Sequence, residues 1–166
     1  MSASSLSPLP TISSRSDFAA AVSWGVREAM TRQARHLLWI APDFDDWPLD
    51  DPALLAALTE WLHRPQRRLV MLAKDWSSMR SRHARFCAWR QPYSHAIDPR
   101  TPDADEATTL PTLLLDDTRV CVRLNDRVHW RGRCSLDAGE VRLLYTEFDA
   151  LAQRSTPDFA VNQIGL

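Results

Sequence analysis

The chain is short of lysine: of its twenty basic residues only Lys74 is one, and the other nineteen are arginine. Arginine stays protonated and seldom serves as base or nucleophile, so any mechanism that needs a lysine must use Lys74. Glycine is scarce too. There are four, Gly25, Gly132, Gly139 and Gly165, and none follows either of the two clearest buried strands. That argues against a dinucleotide site or P-loop, where glycine lets backbone approach phosphate closely. Cys87, Cys121 and Cys134 are odd in number and have no C-x-x-C spacing, which speaks against a redox pair or a zinc site and for free, buried thiols in a reducing compartment. No apolar run approaches membrane-spanning length. The first sixteen residues, rich in Ser and Pro, lack the apolar core of a signal peptide. A cytoplasmic protein is expected.

What is present is the composition of a globular domain. The 166 residues are 45% apolar and 25% charged, with net charge −1, so nothing global draws the chain to nucleic acid or anionic membrane. One domain is expected, large enough to bury roughly 70% of its unfolded surface.

Residues 1–15 read as a flexible arm. Ser16 precedes a helix marked by Phe18, Val22, Val26, Ala29 and Met30 at helical spacing. Leu37 to Ala41 is short, wholly apolar and stopped by Pro42, as in a strand buried on both faces. An acidic loop follows to Asp50. Asp51-Pro52 then places a capping carboxylate before proline at the first helical position, and Leu54, Leu55, Leu58, Trp61 and Leu62 continue that helix. Arg68–Ala73 is a second buried strand. A third helix is predicted from about Ser77 to Trp89, with Met79, His83, Phe86 and Cys87 inward, and a weak strand at His95–Ile97.

Pro99 through Thr109 reads as an exposed loop. Leu113–Leu115 and Val120–Leu124 are strands joined at Asp116-Asp117-Thr118, with a shorter strand near Val128–Trp130. Val141, Leu144, Tyr145, Phe148 and Leu151 mark the last helix, and the tail 156–166 has no periodicity. The fold class expected is α/β: a mixed, mostly parallel sheet with helices on both faces, filling residues 16–155.

Four segments carry candidate chemistry. Asp43-Phe44-Asp45-Asp46 follows a buried strand, where carboxylates spaced by one residue can hold magnesium or attack a phosphoryl group. The spacing resembles the opening motif of haloacid-dehalogenase-type phosphatases, although Pro42 and the absence of a following small hydroxyl residue depart from it. The plainer reading is an acidic loop at the sheet's end. The helix bearing Arg80, Arg82, His83, Arg85 and Arg90, with Lys74 before it, could meet phosphates. Helical geometry scatters these charges, and His83 falls beside Met79, Phe86 and Cys87 at the core boundary.

His129-Trp130-Arg131 and Asp137 superficially echo an H-x-K-x4-D signature, with Arg for Lys and the Asp one residue late. Ser135 or Asp137 is better read as the cap of the last helix. Of the seven tryptophans, Trp39 and Trp61 fit core positions, while Trp76, Trp89 and Trp130 are expected to be partly exposed.

The fourth segment is Leu110–Asp117, an apolar run ending in paired aspartates. From Phe18 to Arg154 the layout resembles one half of a phospholipase D-like domain, carried by HLLWIAPDF, RRLVMLAKDW, SSMRSRHARFCAW, LPTLLLDDTRVCVRL and EVRLLYTEFDALAQRS. It is most similar to bacterial families of unknown function that keep this fold without its active site. In active members a strand carries H-x-K-x4-D, with His as nucleophile and Lys binding phosphate, and two such motifs meet in one site.

Aligned on that strand, this chain has Leu110 at the His position, Thr112 at the Lys position and only Asp117 in common. No G-S-x-N element follows; Arg123-Leu124-Asn125-Asp126 stands there instead.

The resemblance implies the fold and not the activity. No catalytic residue, cofactor or metal ligand is expected, and the domain is expected to act by binding or through a protein partner. Because active relatives join two half-sites, a homodimer is one expectation, and a monomer in light scattering would count against it. The alternatives are a metal-dependent phosphoryl-transfer enzyme using Asp43 and Asp45, or Asp116 and Asp117, and a nucleic-acid-binding module using Lys74, Arg80, Arg82 and Arg85. Asp43, Asp45, Lys74, Arg82, His83, Arg85 and Asp117 are the ligand-site candidates.

Overall fold

The computed structural model of the protein describes residues 8–107 and 109–159. Eight strands form one sheet in the order β1-β7-β6-β5-β2-β3-β4-β8. They are β1 (Thr11–Ile12), β2 (His36–Ala41), β3 (Arg68–Ala73), β4 (Ile97–Thr101), β5 (Thr112–Asp116), β6 (Cys121–Asp126), β7 (Arg131–Ser135) and β8 (Thr156–Pro157). The helices are α1 (Arg15–Thr31), α2 (Pro52–Leu62), α3 (Met79–Arg82), α4 (Ala84–Trp89), α5 (Ala104–Ala107) and α6 (Ala138–Gln153).

The sheet is mixed but mostly antiparallel, which corrects the expectation of a mostly parallel one. Only β2–β3 and β3–β4 pair in parallel, and only there does a helical crossover return the chain to the same end of the sheet. The short turns at 117–120 and 127–130 force β5, β6 and β7 to run antiparallel. β5 then inserts antiparallel beside β2, pairing Leu113 with Ile40 and Asp116 with Leu37.

Each face of the sheet has its own core. On one, Trp39, Met71, Leu114 and Val122 pack with Phe18, Val22 and Val26 of α1 and Leu54, Leu58 and Trp61 of α2. On the other, Leu38, Ile40, Leu72, Leu113 and Leu115 meet Val141, Phe148 and Leu151 of α6. Both faces of β2 and β5 are therefore apolar, as their unbroken hydrophobic runs require.

Caps set the long helices. Asp51 Oδ1 accepts from Ala53 N at 3.0 Å with Pro52 at the first position, and Asp137 Oδ1 accepts from Gly139 N and Glu140 N. α1 begins earlier than expected, because the Ser14 hydroxyl, ahead of Ser16, accepts from Asp17 N at 3.1 Å. The third helix is two short ones, broken at His83, whose backbone leaves the helical region (φ −130°, ψ 54°).

The weak strand expected at His95–Ile97 lies later, at Ile97–Thr101, so Pro99 sits inside a strand instead of a loop. The segment Val128–Trp130 turns, and the strand follows it. Gly132 is needed there: a Cβ would lie 2.3 Å from the Arg123 carbonyl on β6.

The expected arm and tail each supply an edge strand, β1 against β7 and β8 against β4. Ile12 is buried, which holds the first of these in place. Residues 1–7 and 160–166 of that arm and tail lie outside the described residues. Trp39 and Trp61 are buried as expected, the Trp61 indole donating to Ala34 O at 2.8 Å, but Trp76 is buried as well. Among the described residues no helix is long and apolar enough to cross a membrane.

Candidate functional site

The acidic loop after β2 is at the end of the sheet where β5 begins. Phe44 turns inward, fully buried, with its ring edge-on to Trp47 at 5.0 Å. That leaves Asp43, Asp45 and Asp46 facing outward. Asp43 Oδ1 accepts from Asp45 N at 3.0 Å, tightening the turn. Arg127, in the β6–β7 turn, then reaches across. It donates to both Asp43 oxygens, at 2.6 and 3.3 Å, and from Nε to Asp46 at 2.5 Å. These two carboxylates push the Arg127 guanidinium well above its ordinary value, against the opposing effect of burial, so it stays charged.

Asp45 is also engaged. It accepts from the Ser78 hydroxyl at 2.5 Å and pairs with Arg82 Nε at 3.5 Å. His83 is buried beside it, with Nε2 2.8 Å from Phe44 O. A carbonyl only accepts, so Nε2 carries the proton and His83 is pinned as a donor.

The structure thus brings Asp43, Asp45, Arg82 and His83 together, from the β2 loop and the α3–α4 break. It does not add Lys74 or Arg85, which are exposed and outside these contacts.

Thr112, at the position of the phosphate-binding lysine in the resemblance, borders the Arg127 cluster with Phe18, Trp47 and Leu124. The space between them has no room for a water. Leu110 is buried in the opposite face's core. Asp117 is at the other end of β5, accepting from Arg35 N at 3.1 Å and lying 3.3 Å from His36 Nδ1. Asp116 is fully buried and organises the β5–β6 turn through Thr118 and Val120. The two aspartates that could have formed a second metal pair are committed to backbone. Among the described residues no group of three His, Cys, Asp or Glu side chains could hold a metal ion.

His129 makes a local contact, its Nδ1 2.9 Å from Asp126 on an exposed turn. Two features had no sequence signal. Arg127 is 84 residues from Asp43 in the chain, and no local pattern links them. The other is a groove of about 440 Å³ between α6 and β2–β4, lined in part by His36, Arg68, Asp98, Arg100 and Tyr145. Asp98 pairs with both Arg68 and Arg100, and Arg100 Nη1 donates to Ala152 O and Ser155 O at the end of α6. Burial, with the nearby Asp149 adding to it, raises the Tyr145 phenol, keeping it neutral.

No curated protein matches the chain. Among solved structures, TrmBL2, described as an archaeal chromatin protein that shows a novel mode of DNA binding, is similar in fold. Its TM-score is 0.62 at 11% identity, over 92% of this chain and 55% of that one. The chain therefore spans about half the length of that neighbour. A model of a domain of unknown function, DUF7931, matches residues 20–164, and the chain belongs to that family.

Proposed function

We propose that this is a non-catalytic, phospholipase D-like half domain that acts by binding. The observation that carries the reading is the Arg127 clamp. At the start of β5, where the resemblance places a catalytic His and Lys, Leu110 and Thr112 stand instead, and Arg127 neutralises Asp43 and Asp46 in closely packed surroundings. Carboxylates spent on a guanidinium bind a divalent ion poorly, because the arginine must first be displaced.

Phosphodiester and phosphomonoester substrates should show no turnover with magnesium or manganese. Metal-dependent turnover lost in Asp43→Asn would overturn the reading in favour of phosphoryl transfer.

Nucleic-acid binding is the second reading, supported by exposed Lys74, Arg80, Arg82 and Arg85 and by what the fold neighbour is described as binding. It is the weaker of the two, since Arg82 already pairs with Asp45 and the net charge is −1.

A further inference from the structure

One buried cation has no counter-charge among the described residues. Arg90 closes α4 and is 2% exposed, and its Nε has no hydrogen-bond partner among the described residues. Among the described residues the charged or chargeable groups acting on it are Cys87 and Arg80, with no carboxylate. A buried charge is costly unless paired. The Phe159 ring, 4.1 Å from the Arg90 guanidinium, offers only partial compensation. Burial lowers Arg90 to about 10, which leaves it protonated at neutral pH.

Beside it lies a cavity of about 250 Å³ lined by Arg80, Ala84, Cys87, Ala88, Arg90 and Gln91. Arg80 also sits over Phe159, at 5.1 Å. Two arginines and a glutamine thus line a space whose other walls are two alanines and a cysteine. Burial raises the Cys87 thiol above its ordinary value, so it supplies no negative charge at neutral pH. The volume is below the roughly 300–1,000 Å³ of sites for drug-sized ligands. It suits a single small oxyanion, and planar guanidiniums match two oxygens of a phosphate.

We propose that this cavity binds the phosphate group of a small phosphorylated ligand between Arg80 and Arg90. The site is separate from the Arg127 cluster, so its failure would leave the binding reading of the region around the start of β5 standing.

Cys87 gives a direct readout: it is half-buried and lines the cavity, whereas Cys121 and Cys134 are buried. Its alkylation rate is measured against inorganic phosphate, glycerol phosphate and sulfate, with chloride holding ionic strength constant. Phosphate and glycerol phosphate should each slow alkylation saturably. Arg80→Gln should raise the concentration needed by about tenfold or more, as expected for loss of a charge-assisted contact. Arg90→Met should abolish protection, and Arg85→Gln, outside the cavity, should change nothing. If Arg90→Met does not fold, the exposed Arg80 decides. Protection by glycerol phosphate alone would identify an organic phosphate as the ligand, and protection by inorganic phosphate alone a free anion; either keeps the site. The proposal is overturned by absence of saturable protection in the native chain. It is also overturned if Arg85→Gln weakens protection as much as Arg80→Gln, or if single-stranded or duplex DNA protects where both phosphates fail.

Discussion

Asp116→Ala is expected to destabilise the protein by about 3 kcal/mol, lowering its melting temperature by roughly 6–12 °C. The carboxylate is fully buried and accepts from Thr118 N, Val120 N and the Thr118 hydroxyl at 2.9, 2.9 and 2.6 Å. Alanine strands those donors at a closed turn, with the Val120 N–H buried away from water. Asn keeps an oxygen for the two backbone groups, and the hydroxyl can rotate to accept from its amide. Asp116→Asn should therefore cost about 1 kcal/mol. Chemical denaturation of both variants checks the ordering.

The same pair gives a pH signature. Burial raises the Asp116 carboxyl above its ordinary value, with the Thr118 and Val120 hydrogen bonds opposing that. A group raised in the fold binds its proton more tightly folded than unfolded. Its contribution is present below the unfolded value, about 3.9, and is lost as pH rises through the folded one. Asn has no such loss. Relative to the native chain, Asp116→Asn should therefore gain stability as pH rises through that window, and a parallel pair of pH profiles would contradict the account.

Arg127→Met is expected to cost about 2 kcal/mol. Breaking a fully buried pair costs about 3–5 kcal/mol and a surface pair little, and partial solvent exposure of this cluster places it between those limits. Arg127 is 38% exposed and Asp43 and Asp46 are 24% and 20% exposed. The sign of a second substitution separates the charge from the packing. In the native background Asp43→Asn removes a partner of Arg127 and should destabilise. In the Arg127→Met background it relieves repulsion between Asp43 and Asp46, and should stabilise. A double-mutant cycle with the same sign in both backgrounds would place the contribution in the arginine's stem.

The sequence made legible what is encoded locally. β2 and β3 are continuous apolar runs, α2 carries its Asp51-Pro52 start, and α6 carries both its apolar stripe and the Asp137 cap. Each follows from residues within a few positions of one another. Strand direction does not. The run Leu113–Leu115 is apolar on both faces whichever way it pairs, so nothing in it says that β5 lies antiparallel to β2. The edge strands β1 and β8 are two residues long and leave no periodicity to find.

The site divides in the same way. Asp43 and Asp45 stand out because they follow a buried strand. Arg127, which neutralises Asp43, comes from a turn 84 residues further along the chain. His83 is readable at a core boundary, whereas the break at it between α3 and α4, and its contact with the Phe44 carbonyl 39 residues away, are not. Arg90 read as one more helix cation, but Phe159 covers it, and that contact is visible only in three dimensions.

We propose that Arg127 holds Asp43 and Asp46 beside the start of β5 and so keeps them from ligating a metal. Manganese titration followed by electron paramagnetic resonance tests it most directly, on the native chain and on Asp43→Asn. The two should give the same titration, with no saturable site lost on substitution. A saturable manganese site in the native chain that disappears in Asp43→Asn would contradict it.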